Sequence, residues 1–163
     1  MTVRLRSAVA ADVPQILAFI RALGDYEHLA DEVVATEDSL RTTLFGERRY
    51  AEVVLADWDG RPAGFALFFH NYSTFLGKPG IYLEDLFVDP GCRRHGVGKA
   101  LLQHLARLAV ERKCGRLEWS ALDWNRLAID FYLELGARAM SEWSIYRLSG
   151  AALHRLAGKD QDR

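Results

Sequence analysis

The chain has 163 residues, half of them apolar, with 21 lysines and arginines set against 22 aspartates and glutamates. That is room for one domain with a core of its own, and the evenly mixed charge argues against nucleic acid or a polybasic membrane surface as a partner. No apolar run is long enough to span a bilayer, and the first residues meet charge before a signal-peptide core can form, so a cytoplasmic protein with no membrane partner is expected.

Val3–Ser7 alternates apolar and polar side chains with the period of a half-buried strand. Asp12 then opens a helix with Val13, Ile16, Leu17, Ile20 and Leu23 on one side and Gly24 just past its predicted end. The segment DYEHLADEVV reads as a loop carrying Tyr26, Glu27, Asp31 and Glu32, either a solvated charged connection or an acidic loop with a functional role. Thr36 is placed to cap a short helix through Leu44 to Gly46. Asp59-Gly60 between apolar runs 51–58 and 62–69 predicts a two-residue hairpin. A third strand is predicted over 81–88 and stopped by Asp89-Pro90-Gly91. From Val97 a helical pattern runs through Leu101, Leu105, Leu108 and Ala109, and Gly115 separates it from a strand at 116–122. A helix over 126–135 ends at Gly136, and a strand from about 138–148 precedes a terminal amphipathic turn around Leu153 and Leu156. The tail 158–163 is expected to be disordered. This order gives an α/β fold, a mixed sheet covered by helices, in a single domain over 1–163.

Between the third strand and its following helix lies RRHGVG. The first N–H groups of a helix lack intrahelical partners and sit at the positive end of its dipole, which suits an anion. Gly96 and Gly98 leave those groups accessible, while Arg93, Arg94 and Lys99 add positive charge. A Walker loop would need Lys and a hydroxyl residue where Val97 and Gly98 stand, and a dinucleotide fingerprint would need glycine at Leu101. The residues alone leave open a pyrophosphate cradle or a surface turn without a ligand. The five histidines form no i, i+4 pair, and Cys92 and Cys114 have no metal-ligand spacing, so no metal is expected and both thiols read as free.

Taken with the order of elements, YLEDLFV, RRHGVG, LDWNRLAIDFY and ELGA resemble the diamine (spermidine/spermine) and thialysine N-acetyltransferases of the GNAT superfamily, nearly without gaps from Val3 to about Leu156. The resemblance implies the GNAT fold, with helices on both faces of a sheet whose neighbouring strands splay apart at a bulge, and acetyl-CoA as co-substrate. It matches Leu86, Phe87 and Val88 to the strand that pairs with the pantetheine arm, and Arg93, Arg94, His95, Gly96, Val97, Gly98 and Lys99 to the pyrophosphate loop. It also matches Asn125 to a cofactor-side residue, Tyr132 to a catalytic tyrosine, Glu84 to a catalytic carboxylate, and Tyr26 and Glu27 to a substrate loop. Ser73 and Phe75 stand where the polyamine enzymes have Asp and Trp, which favours a short amine over a long polyamine. The expected partner is a small-molecule amine, in an enzyme that is a homodimer like many of its family. Other acceptors (a protein, peptide or drug amine) and a non-catalytic acyl-CoA-binding module are the competing readings.

An aliphatic ammonium with a pKa of about 10.4 costs about 4 to 5 kcal/mol to deprotonate at neutral pH, so a base must help. Glu84 is the first candidate if its strand supplies apolar neighbours that raise its pKa. Asp85 would face the other way in a regular strand, and a bulge would bring both carboxylates toward one cleft, where either could contact the substrate. A backbone N–H near Leu86 or Phe87 is the expected donor to the developing oxyanion. Tyr132, at about 10, can protonate a thiolate of about 8.5; on residue type alone it is also a packing tyrosine.

Overall fold

The computed structural model describes residues 2–159, which fall into two compact units, Met1–Leu122 and Asp123–Arg163. The first unit holds five strands, β1 (Val3–Ser7), β2 (Glu52–Trp58), β3 (Arg61–Ser73), β4 (Lys78–Val88) and β5 (Leu117–Trp119), hydrogen-bonded in that order. The pairs from β1 to β4 are antiparallel, and β5 joins β4 in parallel. Three helices belong to this unit, α1 (Val13–Tyr26), α2 (Glu37–Phe45) and α3 (Val97–Glu111). Among the described residues no helix is long and apolar enough to cross a membrane.

Alternation along the strands sends every second side chain to each face. Val53, Leu55, Phe65 and Phe87 meet Val13, Ile16, Leu17 and Phe19 of α1 and Leu40 and Leu44 of α2 in one core cluster, with Phe19 stacked on Phe65 at 5.7 Å. On the other face lies α3, buried through Val97, Leu101, Leu102 and Leu105; its capping Arg112 covers the Phe68 ring, and its Gly98 lies next to Val88. Arg112 also forms a two-point ion pair with Glu52, at 2.6 and 2.8 Å, which ties the end of α3 to the start of β2.

Local signals behave as the side chains dictate. Thr36 accepts the Ser39 N–H at 3.1 Å and caps α2. Asp59 and Gly60 take φ of 49° and 78°, the left-handed pair of a tight hairpin turn. Helix α1, by contrast, does not stop before Gly24 but runs to Tyr26, because Gly24 is a packing position: a Cβ there would lie 2.7 Å from the Val33 side chain. Asp12 leaves α1 uncapped and instead accepts hydrogen bonds from Arg6 Nη1 and Nη2 and from the Val9 N–H, which hold its carboxyl below the ordinary range. Both strands of the β3–β4 hairpin extend beyond the predicted runs, leaving only a short tip after Ser73.

The second unit contains α4 (Arg126–Glu134), capped by Asn125 and followed by Gly136 at φ 92°, and α5 (Gly150–Leu156). No strand forms over 138–148, because a strand exists only with a ladder partner and this segment pairs with none among the described residues. Trp143, Ile145 and Tyr146 are exposed there. Of the tail expected to be disordered, Gly158 and Lys159 close α5 by bonding to Arg155 and His154, and 160–163 lie outside the described residues.

Candidate active site

The β3–β4 ladder slips by one residue in the middle. Leu67 faces Asp85 and Phe68 faces Leu83, which makes Glu84 the extra residue of a bulge. Directly opposed residues of an antiparallel pair share a face, so Asp85, opposite Leu67 and two residues from the core side chain Phe87, points to the α1 side. Glu84 is exposed. The apolar surroundings expected for Glu84 fall to its neighbour: Asp85 is partly buried, and burial first, then the charges of Glu84 and Glu27, push its carboxyl up to about 6. Glu27, the C-cap of α1, is itself raised by burial.

At the same point β4 loses its other neighbour. The parallel ladder pairs Ile81, Tyr82 and Leu83 with Leu117, Glu118 and Trp119 and ends there, which is why β5 stops short of the predicted 116–122. From Glu84 to Val88 the backbone keeps β3 on one side and, among the described residues, has no strand on the other. Leu86 and Val88 are partly buried, and Phe87 is in the core.

The chain then turns through Pro90–Cys92, pinned by the Asp89 carboxylate on the Gly91 N–H at 2.9 Å and by buried Cys92. Arg94 and Gly96 both adopt left-handed backbone, at φ 65° and 80°, and α3 starts at Val97 with no side chain capping it. A Cβ on Gly96 would meet nothing within 4 Å, and one on Gly98 only the Val88 side chain at 3.6 Å. The helix therefore opens onto unfilled space, with Arg94 and Lys99 exposed beside it. Arg93 donates its Nε to the Val88 carbonyl at 3.2 Å and lies 4.7 Å over the Tyr26 ring, which sets the end of α1 against the loop. His95 stacks on Trp58 at 4.1 Å, with Arg61 on the same indole at 5.6 Å.

A family model described as the Acetyltransferase (GNAT) family matches residues 13–137. The chain belongs to the GNAT acetyltransferase family. It is 36% identical over 168 residues to the thialysine N-epsilon-acetyltransferase of Bos taurus, covering 96% of this chain and 98% of that one. It is 34% identical over 198 residues to an L-ornithine N5-acetyltransferase of Arabidopsis thaliana, covering 94% and 87%. Among solved structures, an integron cassette protein from the mobile metagenome of V. cholerae superposes with a TM-score of 0.81 at 28% identity, over 96% of this chain and 98% of that one.

Within this GNAT chain the first unit gathers Tyr26, Glu27, Glu84 and Asp85 near residues 86–88 and 93–99. Ser73 and Phe75 are not gathered with them. Ser73 pairs with Lys78 at the far end of the hairpin, about 20 Å along β4 from Glu84 at roughly 3.3 Å per residue. Its buried hydroxyl accepts the Leu76 N–H, while Phe75 is fully exposed at the tip. In the second unit Asn125 accepts the Ala128 N–H as the cap of α4, and Tyr132 is partly buried on the same helix beside Phe131. Trp58 and Arg61 were not legible as loop neighbours, since their contact with His95 is tertiary and leaves no spacing in the sequence.

Proposed function

We propose that this GNAT enzyme moves the acetyl group of acetyl-CoA to the primary amine of a small molecule, a thialysine-like amino acid or a short diamine, by direct attack in a ternary complex. The observation that carries the proposal is the parting of β4 from β5 at the Glu84 bulge, immediately before an uncapped helix start flanked by cations. The fit to acetyl-CoA rests on the empty approach at Gly96 and Gly98, where side chains would cover the N–H groups of Val97, Gly98 and Lys99. Those amides with Arg94 and Lys99 would hold the diphosphate, and the edge of 86–88 that β5 leaves open would hold the pantetheine amides. When bound, acetyl-CoA supplies an activated thioester.

The chain's own groups supply the rest. Carboxylates at 27, 84 and 85 attract an ammonium and oppose its escape. A backbone N–H near Leu86 or Phe87, on the side β5 leaves open, would donate to the carbonyl oxygen as charge grows there. Tyr132 would protonate the departing thiolate, a role supported by the resemblance of LDWNRLAIDFY to the family's motif. Relatives named for thialysine and L-ornithine support a compact amino-acid acceptor with a terminal amine. The protein is proposed to work in the cytoplasm as a homodimer, with the exposed apolar segment around Trp143, Ile145 and Tyr146 covered in the assembly.

Thiol release from acetyl-CoA, measured over thialysine, ornithine, lysine, putrescine and spermidine, tests the reading, together with calorimetry of coenzyme A. Turnover highest on the short amino-acid amines is expected. Coenzyme A binding without thiol release on any amine would reduce the protein to an acyl-CoA-binding module, and absence of binding would end the proposal.

A further inference from the structure

The loop that leads from β4 into α3 is held from both sides of the sheet's end. On one side Asp89 turns the chain at Gly91, and Arg93 is tied back to the Val88 carbonyl and the Tyr26 ring. On the other, the His95 ring lies flat on the Trp58 indole, 4.1 Å between centroids and 12° between planes. Trp58 is the last residue of β2 and stands directly opposite Arg61 across the Asp59-Gly60 turn. We propose that Trp58 is a positioning residue for cofactor binding, which fixes His95 and through it the backbone of 94–96, so that the amides opening α3 are already aimed at one point; this rests on the acetyl-CoA reading above.

The loop needs an anchor at this residue. Arg94 and Gly96, on either side of His95, both take left-handed backbone, which glycine adopts freely and arginine does not. No side chain caps α3, and a Cβ at Gly96 would meet nothing within 4 Å, so neither a cap nor close packing holds the chain there. Stacking of two aromatic rings is worth an energy of the same order as the left-handed penalty of one residue, enough to decide which arrangement the loop keeps.

Trp58 suits the task because its own place is fixed. Its backbone pairs on both sides, with Val3 of β1 and Arg61 of β3. The turn that follows is fastened to the start of the chain, where the Asp59 carboxylate accepts the Thr2 N–H at 3.1 Å. The Arg61 guanidinium lies on the same indole at 5.6 Å. The indole is partly buried and the imidazole is on an exposed residue, so the strand supplies the platform and the loop is the part that depends on it. Amides held in place need not be ordered at the moment of binding, which is the source of the affinity. A loop in the receptive arrangement for about a tenth of the time would bind about tenfold more weakly.

The test is calorimetry of coenzyme A, with kcat and both Michaelis constants, on the wild type, Trp58→Leu, Trp58→Phe, His95→Ala and the double variant Trp58→Leu/His95→Ala. Trp58→Leu keeps apolar bulk without a ring and should weaken coenzyme A by about 5- to 10-fold. The Michaelis constant for acetyl-CoA should rise by a similar factor, with kcat at saturation and the Michaelis constant for the amine within about twofold of wild type. Trp58→Phe restores a ring to stack on and should recover most of the affinity. His95→Ala should lose the same factor, and the double variant no more than either single one, because the two side chains make one contact. His95→Ala leaves the sheet untouched, so the inference stays testable even if the Trp58 variants fail to fold. Unchanged coenzyme A affinity in Trp58→Leu or in His95→Ala, an equal loss in Trp58→Phe, losses that add in the double variant, or a fall confined to kcat would each overturn the inference while acetyl transfer stands. A wild type that binds no coenzyme A would instead overturn the underlying reading and this inference with it.

Discussion

Asp85→Asn should stabilise the protein above neutral pH and do nothing for it in acid. Raised from 3.8 to about 6, the Asp85 carboxyl keeps its proton in the folded chain where the unfolded chain has already lost it. The native state then binds more protons than the unfolded state between about pH 4 and 6, so stability falls as pH climbs through that window. By pH 7.5 the ionised carboxylate costs up to about 3 kcal/mol, the free-energy equivalent of the shift. Asparagine keeps the shape and removes the charge, but brings an amide N–H that needs a partner, so a net gain of about 1 to 3 kcal/mol is expected. For a chain of this size that is a rise in Tm of about 3 to 10 °C. Urea titrations followed by tryptophan fluorescence, at half-unit steps from pH 4 to 8, measure the difference directly. The gap between variant and wild type should open across pH 4 to 6 and stay flat above. A constant gap at every pH, or a variant less stable at pH 7.5, would refute the argument that burial and like charge act on this group.

Gly98→Ala should cost the fold little, since the added Cβ meets Val88 at an ordinary 3.6 Å and alanine favours helix, yet calorimetry should show weaker coenzyme A binding because the methyl group intrudes on the cradle. Arg94→Gly should relieve a left-handed backbone worth about 1 kcal/mol while Arg94→Ala should not; both should lose cofactor affinity by the same factor, with kcat at saturation nearly unchanged. Glu52 is held below its ordinary range mainly by its hydrogen bonds to Arg112, so its contribution is present above about pH 4.5 and lost as acid protonates it; allowing for solvent screening, Glu52→Gln should cost at most about 1 kcal/mol at pH 7 and nothing near pH 3 in urea melts. Tyr132→Phe should leave coenzyme A affinity as it is and lower kcat, and unchanged turnover would remove the tyrosine from the chemistry.

What could be read from the sequence was whatever is decided over a few neighbouring residues. Thr36 as a cap, Asp59-Gly60 as a turn and Val97 as a helix start depend on backbone preferences that a short window contains. The turn from Arg93 into α3 was legible for the same reason, because glycine, arginine and helix onset lie side by side in the chain. The helix through Gly24 was not, since its logic is Val33 packing across a loop. Nor was the environment of the two carboxylates: adjacent in sequence, Glu84 and Asp85 are separated by which of them the ladder leaves unpaired and by Glu27, which arrives from another element. The predicted strand over 138–148 failed because a local run of residues says nothing of whether an edge is there to join.

The bulge has one more effect, on the parity of β4. Because one residue is looped out, Leu83 and Ile81 fall on the Phe68 side of the sheet and are almost wholly buried there. Deleting Glu84 would close the bulge and leave these pairings in register, with Leu83 still opposite Phe68 and Ile81 opposite His70. Inserting a residue below the bulge, by contrast, would exchange inside for outside along the lower half of the strand and drive Tyr82 into the buried layer. The bend at the mouth of the cleft can therefore be altered without repacking the hydrophobic layer beneath it.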